Sequence, residues 1–201
     1  MSKYFGTDGF RGEANKILKA DDAYKIGRYL GWYYSREHRG RIVIGKDTRR
    51  SSYMFEYALV AGITASGSDA FLLHVTTTPS VAYVVRTEDF DCGIMISASH
   101  NPYFDNGIKV INGKGHKLEP EIEEQIEKYI DGESEEIPMA KREAIGRCFD
   151  YTKGRDEYIE YLKDLVKEPF DGKTVALDLA NGSASMIAKE IFESMGAQVI
   201  A

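Results

Sequence analysis

Short apolar runs alternate with helically spaced segments along the first half of the chain, and this alternation narrows the fold more than any other feature. Arg41-Ile42-Val43-Ile44, Phe71-Leu72-Leu73-His74-Val75 and Gly93-Ile94-Met95-Ile96 have the length and residue types of buried strands. Between them lie amphipathic stretches. Asp21 or Asp22 is placed to cap a helix whose face carries Ala23, Ile26, Leu30 and Tyr33. Ser51 and Ser52 stand ready to cap a second, with Phe55, Ala58, Leu59, Gly62 and Ile63 on one side. Thr78-Pro79 has the N-cap and N1 pattern of a third. Gly107-Ile108-Lys109-Val110-Ile111 is a further strand close to the third, and Pro120 opens a helix carrying Ile122, Ile126 and Ile130. The expected fold is α/β, a mixed, mostly parallel sheet with flanking helices, in which the strands near residues 93 and 108 add an antiparallel edge.

Sheets of this kind receive ligands at the carboxyl ends of their strands. Two polar clusters follow directly on predicted strands there: Gly45-Lys46-Asp47-Thr48-Arg49 and Ser97-Ala98-Ser99-His100-Asn101. Further along, Asp131-Gly132-Glu133-Ser134-Glu135-Glu136-Ile137-Pro138 is acidic, lacks a helical face and reads as a surface loop. Beyond it, Ile159, Leu162 and Val166 mark a helix, and Thr174-Val175-Ala176-Leu177-Asp178-Leu179 a strand. Asn181-Gly182 turns, Ser183 or Ser185 caps a helix with Ile187, Ile191 and Met195, and Ala197 starts another strand. Residues 1–150 are therefore expected to form one domain and 151–201 the start of a second α/β domain. One strand–helix–strand unit cannot bury both faces of its sheet, so that second domain is expected to be truncated.

Several functions are excluded at the level of composition. No apolar run reaches membrane-spanning length, and Met1-Ser2-Lys3-Tyr4-Phe5-Gly6 lacks the apolar core of a secretory signal. Cys92 and Cys148 are too few for a disulfide scaffold and form no C-x-x-C pair, so reduced thiols and a cytoplasmic location are expected. A net charge of −6 argues against nucleic-acid binding. Yet Arg11, Lys46, Arg49, Arg50, Lys109, Lys114 and Lys117 recur beside glycines, a pattern suited to a small anionic ligand.

Three clusters carry chemistry. Ser99, followed by His100-Asn101-Pro102, places a hydroxyl on a tight turn, with Pro102 stiffening the turn and Asn101 expected to accept its unusual backbone angles. His100 offers an imidazole and Lys109 a positive charge, the partners that a phosphate on Ser99, with about −1.5 to −2 charge, would need. The competing interpretation is a capped turn in which the same side chains satisfy backbone groups. A serine hydrolase is set aside, because Ser99 lacks the G-x-S-x-G elbow. In Phe5-Gly6-Thr7-Asp8-Gly9-Phe10-Arg11-Gly12 the glycines permit close approach and Arg11 presents a fork of donors matched to phosphate. Gly45–Ser52 joins a strand end, basic residues and a helix start, an expected anion site, with Asp47 orienting the loop. No His/Cys spacing resembles a zinc site.

Together, these segments resemble the α-D-phosphohexomutase family. Tyr4–Gly12, Gly45–Arg49 and Ile96–Lys109 match its motifs in order, and Leu177-Asp178-Leu179-Ala180-Asn181-Gly182 resembles the opening of its second domain. The Phe-Gly-Thr-Asp-Gly start with Ile-Ser-Ala-Ser-His-Asn-Pro is similar to the amino-sugar branch, whereas the mannose and glucose branches more often carry Thr-Gly or Thr-Ala before Ser-His-Asn-Pro. The resemblance implies that phosphorylated Ser99 donates to glucosamine 6-phosphate, and that the bound 1,6-bisphosphate reorients and returns its other phosphate. By position, Arg11 and Lys109 would be cationic or proton-transfer partners, and His100 would steady the loop. Mg2+ on the phosphoserine, a glucose or glucosamine 1,6-bisphosphate activator, a phosphosugar substrate and a homodimer are likewise implied. The family's Asp-Gly-Asp-Gly-Asp-Arg metal loop, its Gly-Glu-x-Ser-Gly sugar loop and its Arg-rich phosphate loop do not occur in the 201 residues. Ser99 is thus the single expected metal ligand, and the chain alone is expected to be inactive. The alternatives are a mutase for mannose or glucose phosphates, or a fragment that binds phosphosugar without turnover.

Overall fold

The computed structural model describes residues 3–201. Strands β1 (Phe5–Gly6), β2 (Gly9–Glu13), β3 (Arg41–Lys46), β4 (Asp69–Val75), β5 (Cys92–Ile96), β6 (Asp105–Asn112) and β7 (Cys148–Asp150) form one sheet in the order β1-β2-β6-β5-β3-β4-β7. The run β5-β3-β4-β7 is parallel, and β6, β2 and β1 extend it by antiparallel pairing. The helices are α1 (Ala20–Tyr34), α2 (Arg50–Ala65), α3 (Thr78–Thr87), α4 (Pro120–Asp131), α5 (Thr152–Asp164) and α6 (Ala188–Ser194). Strands β8 (Thr174–Ala176) and β9 (Gln198–Ile200) make a separate two-stranded parallel sheet. The expected mixed, mostly parallel sheet with flanking helices is the fold observed.

Strand periodicity explains the layers. Ile42, Ile44, Ile94 and Ile96 face a core shared with Ile26 and Leu30 of α1, Phe55 and Leu59 of α2, and Ile126 of α4. Their neighbours Val43 and Met95 point the other way, with Leu73, onto Val81, Val84 and Val85 of α3. Both faces are covered, as a largely parallel sheet requires. Helix α5 continues the α3 side, where Tyr83 stacks on Tyr161 at 4.5 Å between ring centroids. Tyr158 and Ile159 of α5 pack with Ile187 and Ile191.

Several local expectations are corrected. Helix α2 starts at Arg50 with Arg49 as its N-cap. Ser52 lies inside the first turn, its hydroxyl donating to Asp47 at 2.7 Å rather than capping a backbone amide. The N-cap of α1 is Lys19, and Asp22, at the third helical position, accepts from the Lys19 amide at 2.9 Å in a capping box. In the 183–195 stretch a 3-10 turn, Ser183–Met186, precedes α6, because the Ser185 hydroxyl donates to the Gly182 carbonyl at 2.7 Å and tightens the chain. Helix α5 ends at Asp164, so Val166 lies beyond it, and Thr77 rather than Thr78 is the N-cap of α3.

Candidate active site

The carboxyl ends of β3, β4 and β5 lie side by side. Hydrogen bonds continue the ladder past the strands: the Asp47 amide donates to Ile96 O at 2.9 Å and Thr76 to Lys46 O at 3.0 Å. Past Ile96 the chain makes the loop that returns as β6, and Ser99 stands on that loop with its side chain exposed. Its φ is +55°, a left-handed conformation that a serine adopts at a cost of about 1–2 kcal/mol. The strained position is therefore Ser99 itself. Asn101, expected to take the unusual angles, instead pins the loop, its amide donating to Ala98 O at 3.1 Å and its side chain to Asp105 at 3.0 Å.

Arg11 arrives from the other side. The glycine-rich N-terminal segment is a β-hairpin, with Gly6 opposite Gly9 and Thr7-Asp8 at the turn. Gly9 has φ +86°, and a Cβ there would meet the β6 backbone, 2.9 Å from Lys109 Cα, so the hairpin can lie against β6 only with glycine at this point. Arg11 pairs in register with Gly107 and Met95 with Lys109, which puts the two cations beside the serine loop. Asp8, Arg11, Thr77, Thr78, Pro79, Met95, Ser97, Ser99, Lys109 and Ser183 line one cavity of about 350 Å3. Arg11 Nε is buried and has no hydrogen-bond partner among the described residues, an unused donor suited to an anion. Asp8 bridges the two cations, 3.4 Å from Arg11 and 4.0 Å from Lys109. Sequence reasoning placed none of Asp8, Thr77 and Ser183 in the site, Ser183 being read as a helix cap; the one available signal for Thr77 was its place just after a predicted strand. His100 Nδ1 lies 3.3 Å from Ser99 Oγ, but His100 is exposed and does not line the cavity.

In the second basic cluster, Lys46 and Arg49 are engaged by carboxylates of the protein itself. Lys46 is 2% exposed and paired with Glu56. Arg49 donates through Nη1 to Asp47 and through Nη2 to the carbonyls of Ser99 and Asn101, while its buried Nε has no hydrogen-bond partner among the described residues. Asp47 orients the turn as expected, accepting from the Arg49 amide at 3.0 Å. Lys114 and Lys117 follow the far end of β6, where Lys117 pairs with Glu123 at 2.9 Å. Of the recurring cations, Arg11 and Lys109 line the cavity.

A divalent cation does not find a site in these residues. No group of three or more His, Cys, Asp or Glu could hold a metal among the described residues, and the cavity's one carboxylate, Asp8, is engaged by two cations. No helix among the described residues is long and apolar enough to cross a membrane.

A serine on a strained loop thus shares one cavity with two cations in an α/β domain with a mixed sheet. The chain belongs to the phosphoglucomutase/phosphomannomutase family: residues 2–137 match that family's alpha/beta/alpha domain I. A phosphoglucosamine mutase of Lachnoclostridium phytofermentans is 66% identical over 198 residues, 98% of this chain and 44% of the relative. One of Lachnospira eligens is 63% identical over 201 residues, covering 98% and 45%. The chain thus spans less than half the length of these curated relatives. Among solved structures, a phosphoglucomutase/phosphomannomutase family protein from Burkholderia thailandensis superposes with a TM-score of 0.81 at 23% identity, over 100% of this chain and 43% of that one. At that identity the likeness concerns the fold.

Proposed function

We propose that this chain is the phosphoserine-bearing portion of a phosphoglucosamine mutase, interconverting glucosamine 6-phosphate and glucosamine 1-phosphate. The observation that carries the reading is Ser99, exposed at φ +55° in the wall of a cavity shared with Arg11 and Lys109. The amino-sugar substrate is inferred from the relatives at 66% and 63% identity, whose names specify it.

In the forward half-reaction the bond from phosphorus to Ser99 Oγ breaks as phosphorus bonds to the sugar O1. The O1 proton is released, and Ser99 Oγ recovers one. Arg11 and Lys109 attract the charge on the equatorial oxygens, where such transfers gain most of their stabilisation. His100, 3.3 Å from Oγ, steadies the hydroxyl and is placed to return its proton. The bisphosphate then turns over, and its 6-phosphoryl passes to Ser99, so the enzyme ends as it began and no co-reactant is consumed. A 1,6-bisphosphate would load Ser99 initially.

Charge supports a further requirement. Two cations and Asp8 leave one net positive charge on the cavity wall against about −1.5 to −2 on phosphoserine. Mg2+ would supply the difference when bound, with side-chain ligands from outside the described residues. Residues 151–201 are proposed to open a second domain, and the protein to be a cytoplasmic homodimer.

The test is turnover by the complete protein on glucosamine, mannose and glucose phosphates, with Ser99→Ala alongside. Glucosamine phosphate is expected to be preferred, and Ser99→Ala to lose activity by about 10³-fold or more. A preference for a non-amino sugar removes the substrate assignment, and an active Ser99→Ala removes the carrier. The 201-residue chain alone is expected to show no turnover.

A further inference from the structure

We propose that Arg49, which does not line the cavity, is the positioning residue that holds Ser99 in its reactive geometry; this rests on Ser99 being the phosphoryl carrier. Both peptide planes of Ser99 are held. Ahead of it, the Ser99 amide donates to Ser97 Oγ at 3.0 Å. Behind it, Arg49 Nη2 donates to the Ser99 carbonyl at 3.0 Å and to the Asn101 carbonyl at 2.7 Å. The first bond governs φ and the second ψ, so the direction of Oγ follows from the pair. Hydrogen bonds from a charged donor are about twice as strong as neutral ones, enough to offset the left-handed conformation.

The fork is itself anchored on its far side. Arg49 Nη1 donates to Asp47. Asp47 is 3% exposed, accepts from the Arg49 amide and from the Ser52 hydroxyl at 2.7 Å, and donates its own amide to Ile96 O. Strand β3 thereby sets a loop that belongs to β5. A lysine at 49 would keep the charge but lose the planar fork that reaches two carbonyls and a carboxylate together. Removing Arg49 leaves Asp47 tied to Ser52 and Ile96, and Asn101 tied to Ala98 and Asp105, so the two turns persist while Ser99 loses its rear hold.

The experiment compares Arg49→Lys, Arg49→Ala and Ser99→Ala in the complete protein. Two readouts are taken: steady-state kinetics, and loading of Ser99 with phosphate from glucose 1,6-bisphosphate followed by intact mass. Both Arg49 variants are expected to lose about 10–100-fold in kcat and in loading rate, with KM within about twofold, because a misplacement of about 1 Å costs that much. Added guanidinium is expected to restore part of the loading rate of Arg49→Ala. Unchanged loading in either variant overturns the proposal, as does a loss that appears in KM alone. Should Arg49→Ala not fold, loading of Arg49→Lys decides. Loading of Ser99→Ala would instead overturn the carrier reading, whatever the Arg49 variants do.

Discussion

Lys46 and Glu56 are 2% and 1% exposed, and their charges face each other inside the layer between β3 and α2. The Lys46 ammonium also lies 4.0 Å from the centroid of the Tyr53 ring. Glu56 Oε1 has no hydrogen-bond partner among the described residues, so part of its desolvation is not offset. Buried pairs of this kind are weak net stabilisers but costly to break singly. Glu56→Gln should therefore destabilise by about 3–5 kcal/mol, whereas Lys46→Met with Glu56→Leu should recover most of that loss. Denaturant unfolding of both variants checks this, and a double variant as unstable as the single would contradict it. The same residues show what a sequence read locally leaves out. Lys46 beside Gly45 looked like a ligand because nothing in the adjacent residues reveals Glu56, ten positions on and turned back by a helix. Ser99, Arg11 and Lys109 were legible because they sit in two contiguous motifs, Ser99 and Lys109 in one and Arg11 in the other. Asp8 acquires its partners only when the hairpin lays Arg11 along β6, which no spacing announces.

Among the elements, α1 and α2 meet backbone to backbone. A Cβ at Gly62 would strike Tyr24 O and come within 2.7 Å of Arg28 N, and one at Gly31 would lie 2.7 Å from Ile63 O. Alanine gains about 1 kcal/mol over glycine in a helix interior. Overpacking against atoms that cannot swing aside costs about 1–3 kcal/mol, and here the obstacles are main-chain atoms. Gly62→Ala should consequently lower stability by up to about 2 kcal/mol at unchanged denaturant slope, and a stabilised variant would show that the helices part freely. The long elements were readable from periodicity because their apolar faces are dictated by one layer of core. Strand β7 was not, since Cys148-Phe149-Asp150 is too short to show alternation and exists by pairing with Ala70-Phe71-Leu72 of β4.

For the whole molecule, Arg11 lies one strand in from the sheet edge, on β2 between β6 and the two-residue edge strand β1. Among the described residues β1 pairs with β2 alone, through Phe5 and Gly6, and the end of α4 adds further bonds to this segment. Glu127 accepts from the amides of Lys3 at 2.9 Å, Tyr4 at 2.7 Å and Phe5 at 2.8 Å. Asp131 accepts from the Lys3 ammonium and the Tyr4 hydroxyl, each at 2.7 Å. The Lys3 bond first, then the Tyr4 bond, hold the Asp131 carboxyl below its ordinary value of 3.8. A depressed carboxyl contributes stability that is present above 3.8 and is lost as pH falls through the lowered value. Asp131 is solvent-accessible, so the effect is local fraying rather than global unfolding. Amide exchange at Tyr4 and Phe5, corrected for intrinsic rates, should be faster in Asp131→Asn than in the unmodified protein at neutral pH. The difference should persist at 3.8 and close only as pH falls further, through the lowered value, because both chains then present an uncharged group to Lys3. Equal exchange at neutral pH would mean that Glu127 and the hairpin suffice. In that case the position of Arg11 owes nothing to the α4 terminus beyond Glu127.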